Sequence, residues 1–233
     1  MGDDLPSWSG DGRKRVLILS STPRREGNSQ RLAEAAADGA AAAGHEVAVV
    51  RLADHVQGML RDCRACRDGD GQCTIDDGHR QIFLDLFVPA DAVVYATPIW
   101  WYGISAQLKA FLDRMFCYIA GSYPDAERVA ADLAGKRAAL LLSAEESNFA
   151  ARLGITNQIS EMCRYLHHDL VGIVVGIGNS RSEVGDDPAA PRDSAQELGR
   201  RLFDIRQTDY QLDTDRPKRV WGDGERRFPA QWR

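Results

Sequence analysis

Five short runs of apolar residues recur along the chain, and the stretches between them carry apolar residues at helical spacing. The runs are apolar throughout and do not alternate with polar residues, which is typical of strands in a parallel sheet covered on both faces. The five predicted strands are Val16–Leu19, Val47–Val50, Ala92–Ala96, Ala138–Leu142 and Leu170–Ile177.

The connections between these strands predict helices. Leu32, Ala35 and Ala36 begin a pattern that places apolar residues on one helix face, and Gly44 is a natural stop. The other predicted helical stretches begin near Ile82, Ser105, Phe149 and Ala195. Strands that alternate with helices predict a three-layer, doubly wound α/β fold.

Length and composition fit one such domain with short additions. The chain has 233 residues, of which 44% are hydrophobic and 27% charged, as in ordinary globular proteins. We expect an N-terminal tail over residues 1–14, the α/β domain over 15–210 and a C-terminal extension over 211–233.

The overall charge and the cysteine count narrow the class of protein. A formal net charge of -5 argues against nucleic acid as the main partner, since a phosphate backbone attracts a positive face. No run of residues has the apolar length of a membrane span, and the N-terminus lacks the pattern of a secretory signal. Five cysteines, an odd number, argue against a disulfide framework. We therefore expect a cytoplasmic protein with neither a membrane nor a nucleic-acid partner.

The loop between the first strand and the first helix, Ser20–Ser29, is rich in hydrogen-bond donors. A loop that enters a helix N-terminus offers free backbone N–H groups and a favourable dipole to an anion. The motifs of dinucleotide-binding folds and of NTPase P-loops are both missing from it, so a terminal monophosphate is the favoured ligand. The candidate donors are Thr22, Arg24, Asn28 and Ser29. The alternative is an ordinary turn in which Asn28 or Ser29 only caps the helix.

The loop after the third strand contains three adjacent aromatic residues, Trp100, Trp101 and Tyr102. A run of this kind in a loop cannot bury all its rings on one side, so some aromatic surface must face a cleft, a ligand or another subunit. Flat rings beside backbone amides suit a flavin ring system. A dimer interface is the alternative, and the two are compatible.

Three blocks of the sequence, in this order, resemble the NAD(P)H-dependent FMN reductase family. The run from Thr97 to Arg114 is similar to the family's signature, and the first loop is similar to its S-G-S-P-R-x-x-G-N-[ST] phosphate loop. Cysteines and acidic residues between Cys63 and Asp77 match its middle segment. Two departures are Ser21, where the family usually has glycine, and the stretch from Ser143 to Ser147, which replaces a commonly Gly-rich stretch.

This resemblance implies a flavodoxin-like three-layer sandwich with a five-stranded parallel sheet in the order 2-1-3-4-5. It implies bound FMN, NAD(P)H as co-substrate, a small-molecule acceptor such as a flavin, quinone, nitroaromatic or metabolite, and a homodimer or homotetramer. The phosphate would be held by Thr22, Arg24, Asn28 and Ser29, and the ring system by Pro98, Ile99, Trp100, Trp101, Tyr102 and Gly103, with Ser143 and Glu145 on its other side. The alternatives are a flavodoxin-type electron carrier, a relative of the iron–sulfur flavoproteins, and an interaction module without flavin.

Cys63, Cys66, Cys73 and His79 raise the question of a metal, since three cysteines and a histidine form a zinc set. A cubane iron–sulfur cluster needs four ligands, and the related iron–sulfur flavoproteins have a further cysteine near position 69, where this chain has Gly69. We expect idle thiols and no metal.

Other polar residues predict structural roles. Lys109 and Asp113 are spaced for an ion pair along a helix, and His167 and His168 end a helix, where a cation is favourable. The sequence does not support a nucleophilic triad, and flavin chemistry does not need one, since the flavin itself accepts the hydride.

Overall fold

A computed structural model describes residues 4–62 and 66–205 and confirms the predicted sheet. Five parallel strands lie in the order β2-β1-β3-β4-β5. Each predicted strand is present, extended by one or two residues at one end or both. The strands are β1 Arg15–Ser20, β2 Glu46–Arg51, β3 Ala92–Pro98, β4 Arg137–Ala144 and β5 Asp169–Ile177.

Helices cover both faces of the sheet. The helical elements are α1 Asn28–Ala42, α2 Leu52–His55, α3 His79–Gln81 with a π-helical turn Ile82–Phe87, α4 Ala106–Ile119, α5 Ala126–Leu133, α6 Ala150–Leu166 and α7 Pro191–Arg201, and a short 3₁₀ turn is formed by Glu183–Gly185. The short helix α5 has no counterpart in the sequence predictions. Within the described residues, none of the helices combines the length and the apolar character that crossing a bilayer demands.

Alternation along β1 divides the core into two layers. Val16 and Ile18 point to the face covered by α1 and α7, while Leu17 and Leu19 point to the face covered by α4 and α6. All four side chains are fully buried, as the continuous apolar run predicts. The α1 and α7 axes approach so closely that a Cβ on Gly39 would lie 1.9 Å from the Gln196 carbonyl oxygen.

The N-terminal stretch, expected to be a tail, contacts the domain. Leu5 and Trp8 pack against the α4–α6 layer, and the Trp8 indole donates to the Leu86 carbonyl at 3.2 Å. The Ser9 backbone N–H also donates to the carboxylate of Glu46 at the start of β2. The C-terminal extension over 211–233 lies outside the described residues.

The expectation of a cation at His168 is wrong. His168 is buried, and its Nε2 lies 2.8 Å from the Leu133 carbonyl. Burial and the neighbouring Lys136 charge lower the pKa of His168 to about 3, so the ring is neutral. The predicted pair of Lys109 with Asp113 is confirmed, with Nζ 2.5 Å from a carboxylate oxygen.

Candidate flavin-binding site

The site predicted from the sequence lies at the carboxyl edge of the sheet, where the strand order reverses between β1 and β3. Ligands of open α/β sheets bind at such a point. Hydrogen bonds connect the loops there to the ends of the neighbouring strands. Ser21 N–H donates to the Ala96 carbonyl at 2.9 Å, and Ile99 N–H donates to the Ser143 carbonyl at 2.8 Å. The loops after β1, β3 and β4 therefore form one surface.

The β1–α1 loop makes a tight turn into the helix. Gly27 N–H donates to the Arg24 carbonyl at 3.0 Å, and the Thr22 hydroxyl accepts from Arg24 N–H at 3.2 Å. A Cβ on Gly27 would lie 2.9 Å from the Thr22 hydroxyl, so this turn requires glycine. Gly27 is the N-cap of α1 and has no side chain to cap it. The first N–H groups of α1 remain for an anion.

Two of the three arginines near this turn are already paired. Arg51 Nε lies 2.9 Å from an Asp54 carboxylate oxygen, and Arg25 Nη2 lies 3.4 Å from the same oxygen. Arg24 is exposed, and the described part of the chain gives its guanidinium no acceptor. Of the two arginines in the loop itself, Arg24 is the cation available to an anionic ligand.

The remaining predicted polar residues contact one another or a neighbouring loop. Ser29 and Ser143 are both buried, and their hydroxyl oxygens lie 2.7 Å apart. The Asn28 side chain bonds to the loop after β5 at three points. Its two amide hydrogens are therefore already donated, which leaves its backbone N–H for an anion. Glu145 is exposed just beyond the end of β4.

Trp100–Gly103, named here the aromatic turn, is a two-residue tight turn. Trp100 and Gly103 exchange two backbone hydrogen bonds of 3.0 Å. Trp101 and Tyr102 between them have φ of 48° and 61°, which is the left-handed region and is uncommon for bulky residues. Trp100 is 39% exposed, Trp101 97% and Tyr102 59%. The sequence-based expectation of unburied aromatic surface is confirmed, while Pro98 is buried and Ile99 half-buried at the base of the turn.

The cysteine segment is only partly described, because Cys63 lies outside the described residues. Cys66 and Cys73 lie on a small hairpin in which Arg67 pairs with Cys73. His79 is fully buried, and its Nε2 lies 2.9 Å from the Phe111 carbonyl. Burial and the Arg114 charge lower the pKa of His79 to about 4. Within the described residues, no three His, Cys, Asp or Glu side chains are grouped to hold a metal ion.

A buried ion pair lies below this segment; the sequence predicts a structural pairing role for Arg114 but does not identify its partner, Asp77. Arg114 holds both carboxylate oxygens of Asp77, at 2.7 and 2.8 Å. Burial alone would raise the pKa of Asp77, but hydrogen bonds from Arg114 and from backbone N–H groups lower it to about 2. Arg114 also donates to the Gly58 carbonyl at 3.0 Å. The pair therefore anchors the segment before α3 to helix α4.

Comparison with known families identifies the class of protein. Residues 14–200 match the family model for the flavodoxin-like fold, Flavodoxin_2, and the chain belongs to this family. The sheet order and the position of the loops agree with that membership.

Curated relatives fall into two groups by name. An iron–sulfur flavoprotein of Methanocaldococcus jannaschii is 34% identical over 100 residues, which are 43% of this chain and about half, 51%, of the relative. An iron–sulfur flavoprotein of Archaeoglobus fulgidus is 27% identical over 201 residues, 86% of this chain and 83% of the relative. The Bacillus subtilis protein YwqN, named as an NAD(P)H-dependent FMN-containing oxidoreductase, is 22% identical and covers 76% of this chain and 92% of its own length.

Solved structures show the same fold. The NAD(P)H:quinone oxidoreductase of Methanothermobacter marburgensis aligns with a TM-score of 0.59 and 21% identity, covering 82% of this chain and 97% of that one. RosB, solved with 8-demethyl-8-formylriboflavin-5'-phosphate, aligns with a TM-score of 0.61 and 20% identity, covering 80% of this chain and 75% of that one.

Proposed function

We propose that the chain is an FMN-dependent oxidoreductase that takes hydride from NAD(P)H and passes reducing equivalents to a small acceptor. The observation that carries this proposal is a juxtaposition. The uncapped N-terminus of α1, with Arg24 beside it, and the exposed aromatic turn lie on one sheet edge. Their loops are bonded to each other, since the Ser105 hydroxyl donates to the Ser21 carbonyl at 3.3 Å. The name of YwqN supports the same cofactor and the same reductant.

The donor set fits the phosphate of FMN. A phosphate monoester accepts hydrogen bonds and carries close to two negative charges at neutral pH, so it needs N–H or O–H donors and a cation. The Thr22 hydroxyl, the Arg24 guanidinium and the first N–H groups of α1 supply them, and the Ser29 hydroxyl lies on the same turn. The tight turn at Gly27 leaves no Cβ in the cradle.

The aromatic turn fits the ring system. Trp100, Trp101 and Tyr102 offer flat apolar surface that the fold itself leaves unburied. Pro98, Ile99 and Gly103 would complete this side, and Ser143 and Glu145 would flank the other. When bound, FMN supplies hydride acceptance and donation at its ring, and the protein's part is to orient the ring and to hold its charge with loop N–H groups.

Anaerobic reduction tests the proposed reaction. Protein loaded with FMN and mixed with NADH or NADPH should lose the absorbance of oxidised flavin in near-stoichiometric fashion. The colour should return when a quinone or free flavin is added without air. Flavin that stays coloured with both nucleotides would remove the reductase activity and leave the alternative of an electron carrier.

Two adjacent arginines provide a matched test of the phosphate site. Arg24→Ala should weaken FMN binding by about 10- to 100-fold, since it removes charge-assisted hydrogen bonds. Riboflavin, which lacks the phosphate, should bind both proteins equally. Arg25→Ala is the control, because Asp54 already holds Arg25. Equal losses from both variants would show a general charge effect and no specific site.

The relatives named iron–sulfur flavoproteins raise a second cofactor. Cys63, Cys66 and Cys73 supply three thiolates, and position 69 is glycine, so the four thiolates of a cubane cluster cannot come from this segment. We propose that the chain works with flavin alone. Protein purified anaerobically should contain flavin but no stoichiometric iron or acid-labile sulfide; four irons per chain would reverse this proposal.

The exposed apolar surface supports a homodimer or homotetramer. Phe116 on α4 and Leu153 and Tyr165 on α6 are exposed, and a cavity of about 310 Å³ lies between the two helices. The first half of α6 also approaches the aromatic turn, since a Cβ on Gly154 would lie 3.9 Å from the Tyr102 carbonyl oxygen. Contiguous apolar patches of this kind mark interfaces.

Light scattering tests the oligomer. The purified protein should have at least twice the mass of one chain, and Phe116→Glu should shift it toward the monomer. Val49→Glu, which places the same charge at an exposed valine of the edge strand β2, on the face that α1 and α7 cover, is the control. A monomeric wild type at high concentration would contradict the proposal. A cytoplasmic location is part of the same proposal, since NAD(P)H is the reductant.

A further inference from the structure

The side chain of Asn28 joins the first turn of α1 to the loop after β5. Its Nδ2 donates to the Gly178 carbonyl at 2.8 Å and to the Ser180 carbonyl at 3.0 Å, and its Oδ1 accepts from Val184 N–H at 3.1 Å. Only this orientation of the amide satisfies all three partners, because the reverse would set an oxygen against two carbonyl oxygens. Both amide hydrogens are therefore committed inside the protein.

The loop after β5 is built to approach Asn28 closely. A Cβ on Gly178 would lie 2.8 Å from Asn28 Nδ2 and 2.8 Å from Val184 N, so only glycine allows this packing. A second tie lies one turn away, where the Ser182 hydroxyl donates to the Glu26 carbonyl at 3.2 Å. The loop after β5 thus holds the β1–α1 turn through both Asn28 and Glu26.

We infer that Asn28 is a positioning residue of the phosphate site and that its amide is not a phosphate ligand. A phosphate oxygen can only accept hydrogen bonds, and the Asn28 amide has no donor left for it. The clamp instead fixes the first turn of α1, whose N–H groups are the donors that the phosphate needs. This inference rests on the proposed function, because the phosphate is that of FMN.

Two substitutions remove the clamp from opposite sides. Asn28→Ala deletes the three hydrogen bonds, and Gly178→Ala forces the loop away from an intact Asn28. Each should weaken FMN binding by about tenfold. This loss corresponds to the net free energy of one hydrogen bond, or to an equal cost of ordering the loosened turn on binding. Riboflavin affinity should be unchanged in both. The double variant should bind FMN no more weakly than the weaker single variant, since both changes break one contact.

Amide hydrogen exchange provides a readout that needs no flavin. In the apoprotein, Asn28→Ala should accelerate exchange at Val184, whose N–H loses its acceptor, and leave strand β3 unchanged. Protection of β3 at the same time shows that the variant is folded. Unchanged exchange at Val184 would mean that the clamp is not formed in solution and would overturn the inference.

The other outcomes are distinct. FMN binding weakened by Asn28→Ala but not by Gly178→Ala would make Asn28 a direct ligand. FMN and riboflavin weakened equally would reduce it to a structural residue, and FMN binding unchanged in both variants would remove any role at the site. Each of these overturns the inference while the proposed function stands. A wild-type protein that binds neither flavin would overturn the proposed function, and the phosphate role of Asn28 with it.

Discussion

The protein contains two groups of aromatic residues, one buried and one exposed. The first group, named here the ring cluster, is buried where α3 and the π-helical turn pack against α4. It consists of His79, Phe83, Phe87, Phe111 and Tyr118. Its rings contact one another, with centroids 4.9 Å apart for His79 and Phe111 and 5.2 Å apart for Phe83 and Tyr118. The second is the aromatic turn, where Trp101 is almost fully exposed.

The backbone shows the same contrast. The residues of the ring cluster lie in α3, the π-helical turn and α4, whereas Trp101 and Tyr102 occupy the left-handed region. That conformation costs roughly 1–2 kcal/mol for each residue other than glycine. Burial of the ring cluster stabilises the fold. The aromatic turn has a strained backbone that destabilises the fold, and it buries little apolar surface. Residues that destabilise the fold in this way are candidates for function, which is why we propose a ligand site at the aromatic turn and none at the ring cluster.

The largest expected effect lies under the ring cluster. Arg114→Met leaves the Asp77 carboxylate buried without its partner, and we expect the free energy of unfolding to fall by about 3–5 kcal/mol. Lys109→Met on the same helix removes an exposed pair with Asp113 and should cost less than about 1 kcal/mol. Urea unfolding of both variants measures the difference. Equal costs would mean that the buried pair contributes no more than a surface pair.

Acid should weaken the ring cluster through His79. Its pKa is about 4 in the folded protein against an ordinary 6.5, so the unfolded chain takes up the proton first. Titration of His79 therefore leaves the free energy of unfolding unchanged above pH 6.5. As the pH falls toward 4, it lowers this free energy by up to about 3 kcal/mol. His79→Gln keeps a donor for Phe111 and should reduce the slope of unfolding free energy over this range. A smaller slope should remain, because His168, with a pKa of about 3, titrates over the same range. Asp77, with a pKa of about 2, acts only below that window. A curve of unchanged slope would contradict the assignment.

In the aromatic turn, by contrast, relief of backbone strain should raise the stability of the protein. Trp101→Gly removes left-handed strain, and we expect it to be more stable than Trp101→Ala by about 1 kcal/mol, since both variants lose the same ring. Both should lose flavin affinity or turnover. A glycine variant no more stable than the alanine variant would show that the turn is not strained. Thermal unfolding and flavin titration measure the two effects.

The smallest effect is expected at Tyr118, inside the ring cluster. Its hydroxyl is buried and has no hydrogen-bond partner among the described residues. Tyr118→Phe loses no hydrogen bond, so it should not lower the free energy of unfolding, and it should leave flavin binding unchanged. A loss of flavin binding would extend the functional region into the ring cluster and would weaken the contrast drawn between the two groups.

The sequence predicted the strands well because burial on both faces leaves an unmistakable apolar run. The order of the sheet followed from the resemblance carried by the loops. Helix α5 was missed, although Ala126, Val129 and Leu133 are its buried residues and stand at helical spacing. Eight residues give too short a pattern to separate from a loop. The π-helical turn at Ile82–Phe87 was predicted only as helix, since periodicity does not separate the two kinds of turn.

The location of the site could be predicted from the sequence, but most of the hydrogen bonds within it could not. Donor-rich and aromatic loops after neighbouring strands had to meet at one edge, and they do. The contact of Ser29 with Ser143 and the clamp at Asn28 depend on loops 114 to 156 residues apart in the chain, which local patterns cannot pair. The left-handed turn at Trp101 and Tyr102 is also hidden, because sequence rules expect glycine or asparagine there.

A crystal structure of the protein soaked with FMN tests the central claim most directly. We expect the phosphate at the N-terminus of α1, within hydrogen-bond distance of Arg24 and of the first N–H groups of the helix, with the ring system against Trp100–Tyr102. FMN found elsewhere on the surface, or crystals that stay colourless at saturating FMN, would contradict it.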